Sequence, residues 1–514
     1  MKTPICDFVR DYAASGTVRM HMPGHKGAGT QAHEAGAEAL GDAGDSAEGS
    51  VTETPDRYSS AFSNIAAYDI TEIKGSDELY HPTSIIAESE KNASAIFGCP
   101  TYYSTEGSSL CIRAMLYLNM MRARSENDAK NSSGANTNNA GSESDKNTQK
   151  KPWVLAARNV HESFVSACAL LDIDAEWIAS KSGTLISADI DADDVAKALV
   201  SGISSHNSDP CCVYITSPDY AGHILPVKEI AEVCHRNGIA LVVDNAHGAY
   251  LKFLSASQHP MDLGADMCCD SAHKTLPVLT GGAYLHVRED WKREKAPLSF
   301  LVKNAMRMFA STSPSWLILQ SLDRANLWLT QGGSRSFAKT EEKVGTIREA
   351  FTGIGLSCYG EDTMRITILT RPFGYTGDEF ASILREKKIE VEFSDPDMIV
   401  LMITPKNTGR DLDKLSKTLM SIPKKDALPS FRESVGSDEN DEQIFPQKKF
   451  TIRGASMRPW ETVPMKEALG RVAAMGSFSC PPAIPIVMPG EVIGEREIKQ
   501  FEYYGYTECK VIQK

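Results

Sequence analysis

The sequence predicts an α/β protein: a mostly parallel sheet between layers of helices, then a smaller α+β domain and a C-terminal α+β unit. Three observations carry that expectation. From Trp153 to about Val287, short apolar β-type runs alternate with helix-like stretches, the pattern of a sheet wound with crossover helices. The run Leu241-Val242-Val243 stops abruptly at Asp244, followed by Asn245-Ala246-His247-Gly248. A buried parallel strand reads this way where it delivers a side chain to the carboxyl edge of its sheet, the edge at which such folds bind ligands. Finally, 514 residues exceed one ordinary core, so roughly two to four domains are expected.

In chain order, residues 1–65 read as a polar N-terminal arm. It holds a helix-like start, the segment Arg19-Met20-His21-Met22-Pro23-Gly24-His25-Lys26-Gly27, and a stretch rich in Gly, Ala, Ser and acids. Residues 66–300 form the expected main domain. It is interrupted at 125–150 by Asn, Ser, Gly, Asp and Lys with almost no apolar residues, predicted as a disordered or surface loop. Its strand candidates are Val154-Leu155-Ala156, Cys211-Cys212-Val213-Tyr214-Ile215, Ala240-Leu241-Val242-Val243 and Ala283-Tyr284-Leu285. A helix over 230–236 has a natural stop at Asn237-Gly238. Residues 301–425 read as helices followed by the strands Arg365-Ile366-Thr367-Ile368-Leu369 and Met398-Ile399-Val400-Leu401-Met402-Ile403, a small α+β domain. A charged linker is expected at 426–450 and a compact terminal unit at 451–514.

Composition narrows the class. The chain is 42% hydrophobic and 24% charged, with no apolar run long enough to span a bilayer. A net charge of −13 argues against non-specific nucleic-acid binding. The polar start Cys6-Asp7-Phe8-Val9-Arg10-Asp11 breaks any signal-peptide core, so a cytoplasmic location is expected. Twelve cysteines in so long a chain make no disulfide framework, and the pairs Cys211-Cys212 and Cys268-Cys269 read as buried thiols. No CxxC or His-rich spacing is present, so no metal site is expected.

The chemistry centres on Asp244 and on Lys274, thirty positions downstream in Ser271-Ala272-His273-Lys274-Thr275 before the turn Gly281-Gly282. A strand-end acid alone is usually a cap and a lone lysine usually a solvated charge. Together they suit pyridoxal 5′-phosphate (PLP), which needs a Schiff-base lysine and a carboxylate on its ring nitrogen. Ser104-Thr105-Glu106-Gly107-Ser108-Ser109 precedes an apolar helical run, offering backbone N–H groups and a helix dipole to a phosphate. His161, after a strand-like run, is a candidate to stack on the pyridine ring. Thr216, ending the run at 211–215, is counted among the cofactor contacts. These parts serve transaminases, aldolases, desulfurases and decarboxylases alike, although no arginine stands out as a clamp for a substrate α-carboxylate.

The chain resembles the PLP-dependent ornithine/lysine/arginine decarboxylases of the bacterial, aspartate-aminotransferase-like fold type I. The motifs are His21-Met22-Pro23-Gly24-His25-Lys26, Asp69-Ile70-Thr71-Glu72 with Asp77-Glu78-Leu79-Tyr80-His81-Pro82, Asp244-Asn245-Ala246-His247-Gly248-Ala249 and Ser271-Ala272-His273-Lys274-Thr275-Leu276. The terminal unit adds Glu467-Ala468-Leu469-Gly470-Arg471, Pro481-Pro482-Ala483-Ile484-Pro485 and Pro489-Gly490-Glu491. The resemblance implies a seven-stranded sheet of the PLP-transferase type and a short form without an N-terminal receiver-like domain. It implies that Lys274 holds PLP, that Asp244 pairs with the ring nitrogen and that His161 stacks on the ring. His247 would sit near the reacting carboxylate, with Ser271, His273, Gly107 and Ser108 at the phosphate. It further implies decarboxylation of arginine, lysine or ornithine to a di- or polyamine, in homodimers or larger assemblies with active sites at the subunit interface. The chain departs from the family pattern at Glu106, Glu162, Asn245, Cys480 and Ala483. Another fold-type-I activity, or a non-catalytic relative, is the alternative. Glu78, Glu392 and Asp395 are candidate acids for a basic side chain.

Overall fold

The computed structural model describes residues 1–20, 22–23, 65–133, 150–181, 186–291, 296–429, 445–474 and 484–514. Most of the motif at 21–26 and the positions Cys480 and Ala483 lie outside them.

The main sheet has seven strands: β1 (Thr101–Ser104), β2 (Trp153–Ala157), β3 (Asp174–Ile178), β4 (Val213–Thr216), β5 (Leu241–Asp244), β6 (Met267–Asp270) and β7 (Ala283–Val287). Their order is β1-β7-β6-β5-β4-β2-β3. Strands β3, β2, β4, β5 and β6 pair in parallel, and β7 runs antiparallel to both neighbours. Alternate residues feed two cores: Val154, Ala156, Tyr214 and Val242 join one, and Trp153, Leu155, Val213, Ile215, Leu241 and Val243 the other. Helices cover both faces, which is why these strands read as continuous apolar runs.

A second sheet holds β8 (Ser357–Tyr359), β9 (Arg365–Leu369), β10 (Phe393–Ser394) and β11 (Met398–Met402), all antiparallel in the order β10-β11-β9-β8. Its helices Gly377–Glu386 and Gly409–Met420 start in capping boxes, Thr376 with Glu379 and Thr408 with Asp411. The terminal unit is a two-stranded ribbon of β12 (Trp460–Pro464) and β13 (Glu508–Ile512) with the helix Glu495–Tyr503.

Several expectations shift. The helix Gly107–Ser133 runs into the segment expected as a loop from 125, helped by the Arg122–Glu126 ion pair at i,i+4; residues 134–149 lie outside the described residues. The helix Pro4–Ala14 is no free arm: Ile5 and Val9 bury one face in the main core, and the Cys6 backbone N–H donates to Asp323 Oδ2. The expected boundary at 300/301 falls inside the main core, because Met306, Trp316, Leu322 and Phe337 pack there; the small core begins at Val344. Within the expected linker, Lys448 pairs with Asp174 on β3 at 2.8 Å. Among the described residues no helix is long and apolar enough to cross a membrane.

Candidate active site

The carboxyl ends of β4, β5 and β6 open into a cavity of about 310 Å³. The catalytic and cofactor-contact residues expected from sequence all line it: Lys274, Asp244, His247, His161, Ser271, His273, Gly107, Ser108 and Thr216. Asp244 ends β5 and is buried, accepting hydrogen bonds from Tyr214 Oη at 3.1 Å and the Ala246 N–H at 3.1 Å, with Cys269 Sγ 3.7 Å away. Lys274 lies in the short helix Ala272–Thr275 that follows β6, its Nζ 2.9 Å from His247 Nε2. Burial lowers the Lys274 amine from its ordinary value, with Asp244 and Glu392 opposing. Burial, then the Lys274 charge, pushes His247 well below the ordinary imidazole value, so His247 is neutral and free to accept from the ammonium.

The phosphate-type end has its own logic. Gly107 opens the helix Gly107–Ser133 at φ +70°, and its N–H donates to Gly281 O at 2.7 Å. A Cβ on Gly107 would meet nothing within 4 Å, whereas one on Gly281 would strike Thr105 O at 2.9 Å. The Ser271 hydroxyl donates to Ser108 Oγ at 2.8 Å, and the His273 N–H is fixed on Gly282 O. His161 caps the helix Glu162–Leu171: its Nδ1 accepts from the Ser163 N–H at 3.1 Å, leaving Nε2 as the protonated nitrogen of the neutral ring. Burial lowers the His161 pKa.

The departures acquire physical reasons. Glu106 turns away from the cavity, Oε1 accepting the Ser311 N–H at 2.7 Å. Glu162 occupies the first turn of a helix, where the dipole favours an acid. Asn245 donates to Asp270 Oδ1 at 2.6 Å; a glutamate there would set a second carboxylate against a fully buried one.

Sequence reasoning missed Asn159, Tyr220, Ala246 and Ile484, which line the cavity along with Ser109 of the expected phosphate stretch, and Tyr214 beneath Asp244. Single polar residues carry no sequence signal, although Asn159 and Tyr220 do follow strand ends. Of the three candidate acids only Glu392 reaches the cavity, accepting from Tyr220 Oη at 3.2 Å. Glu78 pairs with His81 at the surface, and Asp395 binds the N–H groups of Asp397 and Met398.

PLP fits this donor set. Beside the lysine and carboxylate, the Thr216 hydroxyl and the Asn159 amide are buried polar groups on the cavity with no partner among the described residues, and the open space at Gly107 adjoins a helix start. Fold and pocket define a class, the PLP-dependent enzymes of fold type I. Family models match at residues 144–356 (Orn/Lys/Arg decarboxylase, major domain) and 443–510 (Orn/Lys/Arg decarboxylase, C-terminal domain). The chain belongs to that decarboxylase family and is a PLP-dependent decarboxylase. It is 28% identical to an arginine decarboxylase of Halalkalibacterium halodurans, over 97% of this chain and 92% of that protein. An arginine decarboxylase of Bacillus subtilis is 27% identical with the same coverage. The Francisella novicida lysine decarboxylase superposes with a TM-score of 0.71 at 17% identity, over 99% of this chain and 81% of that one, a likeness of fold.

Proposed function

We propose that the protein decarboxylates a basic amino acid, arginine foremost, to the corresponding amine and CO₂, as a homodimer or larger homo-oligomer. The observation that carries this reading is Glu392, among the described residues the one carboxylate besides Asp244 on a cavity that also holds Lys274. The curated arginine decarboxylases that align along nearly the whole chain support arginine.

Lys274 binds the cofactor between turnovers and returns a proton to the substrate Cα. His247, neutral and 2.9 Å from the Lys274 amine, holds that amine in place. Asp244, itself fixed by Tyr214 and Ala246, would pair with the ring nitrogen, and His161 would pack on the ring. Ser108, Ser271, His273 and the helix start at Gly107 would hold the phosphate, and Thr216 would add a hydroxyl. When bound, PLP supplies the electron sink for the bond broken at Cα. Glu392 receives the distal cation of the substrate. A single charge-assisted contact of this kind gives a preference for a basic side chain.

The test is CO₂ release from PLP-loaded protein given arginine, lysine and ornithine in parallel, with an absorbance scan of the same sample. Release from arginine, with a KM raised by Glu392→Gln while kcat changes little, supports the reading. An intact lysine-bound PLP band without release from any of the three transfers the protein to another fold-type-I activity. Absence of the band marks a non-catalytic relative.

A further inference from the structure

Outside the cavity the strongest cluster of reactive side chains is His259, Cys268, Asp270 and His286, all fully buried, with one potential ligand atom from each within 4.8 Å of the others. Strand register builds most of it. Cys268 on β6 stands opposite His286 on β7, Asp270 follows two residues on from Cys268 and so shares its face, and His259 reaches in from the segment between β5 and β6. The two imidazoles converge: His259 Nε2 and His286 Nε2 each lie 3.1 Å from the same oxygen, Asp270 Oδ2. Cys268 Sγ is 4.0 Å from His259 Nε2.

The hydrogen bonds around the cluster fix what each atom offers. Asp270 Oδ1 is taken by Asn245, so Oδ2 alone faces the imidazoles. The single hydroxyl proton of Thr101 goes to Cys99 O at 3.0 Å, because a carbonyl only accepts. Thr101 Oγ1, 2.9 Å from His286 Nδ1, therefore accepts from that nitrogen. In the neutral ring His286 Nε2 is then a bare lone pair aimed at a carboxylate oxygen. Two acceptors at 3.1 Å repel unless a cation, either a proton or a metal ion, stands between them.

We propose that His259, Cys268, Asp270 and His286 form a structural zinc site. Four-coordinate zinc with bonds near 2.0–2.1 Å to nitrogen and oxygen sets those ligands about 3.3 Å apart. The two 3.1 Å separations are already near that value, and the 4.0 Å between Cys268 Sγ and His259 Nε2 has to shorten. Two neutral imidazoles, one thiolate and one carboxylate exactly offset the ion's charge, which a fully buried site requires. Thr101 supplies the partner that orients a metal-binding histidine. All four positions are filled by protein, so the ion would be structural: it would clamp the 245–266 segment to β6, from whose end Ser271 and Lys274 extend. Ligands at 259, 268, 270 and 286 follow no compact spacing, which is why the sequence predicted no metal.

The test is metal analysis of the full-length holoenzyme after incubation with zinc sulfate and desalting, followed by zinc-edge X-ray absorption. About one zinc per chain, with one sulfur near 2.3 Å and nitrogen or oxygen near 2.0–2.1 Å, is expected. Thr101→Val, which removes only the orienting hydroxyl, should weaken zinc retention against a chelator about 10–100-fold while leaving the lysine-bound PLP absorbance in place. Less than about a tenth of a zinc per chain, or a shell without sulfur as for zinc held by the cofactor's phosphate, overturns the proposal.

Discussion

Glu491→Gln should destabilise the protein by about 2 kcal/mol, although Glu491 is far from Lys274 in sequence. Glu491, in the Pro-Gly-Glu motif of the terminal unit, accepts from Arg158 Nη1 at 2.8 Å and Nη2 at 2.7 Å, and from the Met488 N–H at 2.8 Å. The side chains are 10% and 4% exposed, so solvent screens the pair little. A glutamine of the same shape turns one acceptor into a donor facing the guanidinium, leaving a buried cation with half its partner. Losing one charge-assisted bond costs roughly 1.5–3 kcal/mol. Removing the whole side chain, as in Glu491→Ala, should cost roughly 3–5 kcal/mol. Arg158 begins the stretch Arg158-Asn159-Val160-His161, so PLP affinity should fall as well. The assay is urea unfolding followed by tryptophan fluorescence, for which Trp177, 5.5 Å under Arg158, is a local reporter. The double variant Arg158→Met/Glu491→Leu should recover much of the loss, with a coupling of about 2 kcal/mol. A single-variant loss under about 1 kcal/mol, or a double variant no more stable than either single, refutes the reasoning.

Lys274→Ala should abolish both CO₂ release and the visible band of lysine-bound PLP; wild-type release from this variant overturns its role. Asp244→Asn should leave the fold intact and slow turnover on the order of 10²–10³-fold, and an unchanged kcat removes it from the ring nitrogen. Glu106→Gln should leave PLP affinity unchanged because its carboxylate faces Ser311; a gain of about tenfold would place that charge against the phosphate instead. Burial raises the Asp395 carboxyl to about 7, so the folded state binds more protons than the unfolded one and stability falls as pH rises from about 4 through 7. Asp395→Asn keeps the Oδ1 acceptor for Asp397 and Met398, and should remove roughly 2–3 kcal/mol of loss between pH 5 and 7.5. Urea titrations at both pH values check this, and parallel pH dependence in the two proteins counts against it.

What the sequence made legible were the residues with a patterned neighbourhood. Asp244 could be read because a β-branched run ends on it, and Lys274 because hydroxyl and imidazole residues surround it one crossover later. The parallel sheet followed from the same alternation. What stayed hidden depends on chain segments meeting in space. Nothing near Asn159 or Tyr220 marks them as cavity residues, and the direction of Glu106 is decided by a backbone N–H 205 positions away. The docking of the Pro4–Ala14 helix was concealed by its short apolar face of Ile5 and Val9. Main-core packing of residues 301–337 was hidden because an amphipathic helix does not state which core it faces.

Strand β6 reads two ways across its four residues. Cys269 turns toward Asp244 in the cavity, while Cys268 and Asp270 turn to the opposite face and the histidines. Side chains alternate with period two, so one residue inserted or deleted within Met267–Asp270 would exchange these faces in a single step. Individual letters in the strand can change with local consequences; its residue count cannot. Length polymorphism should therefore be absent from this strand among functional variants, even where its spelling drifts.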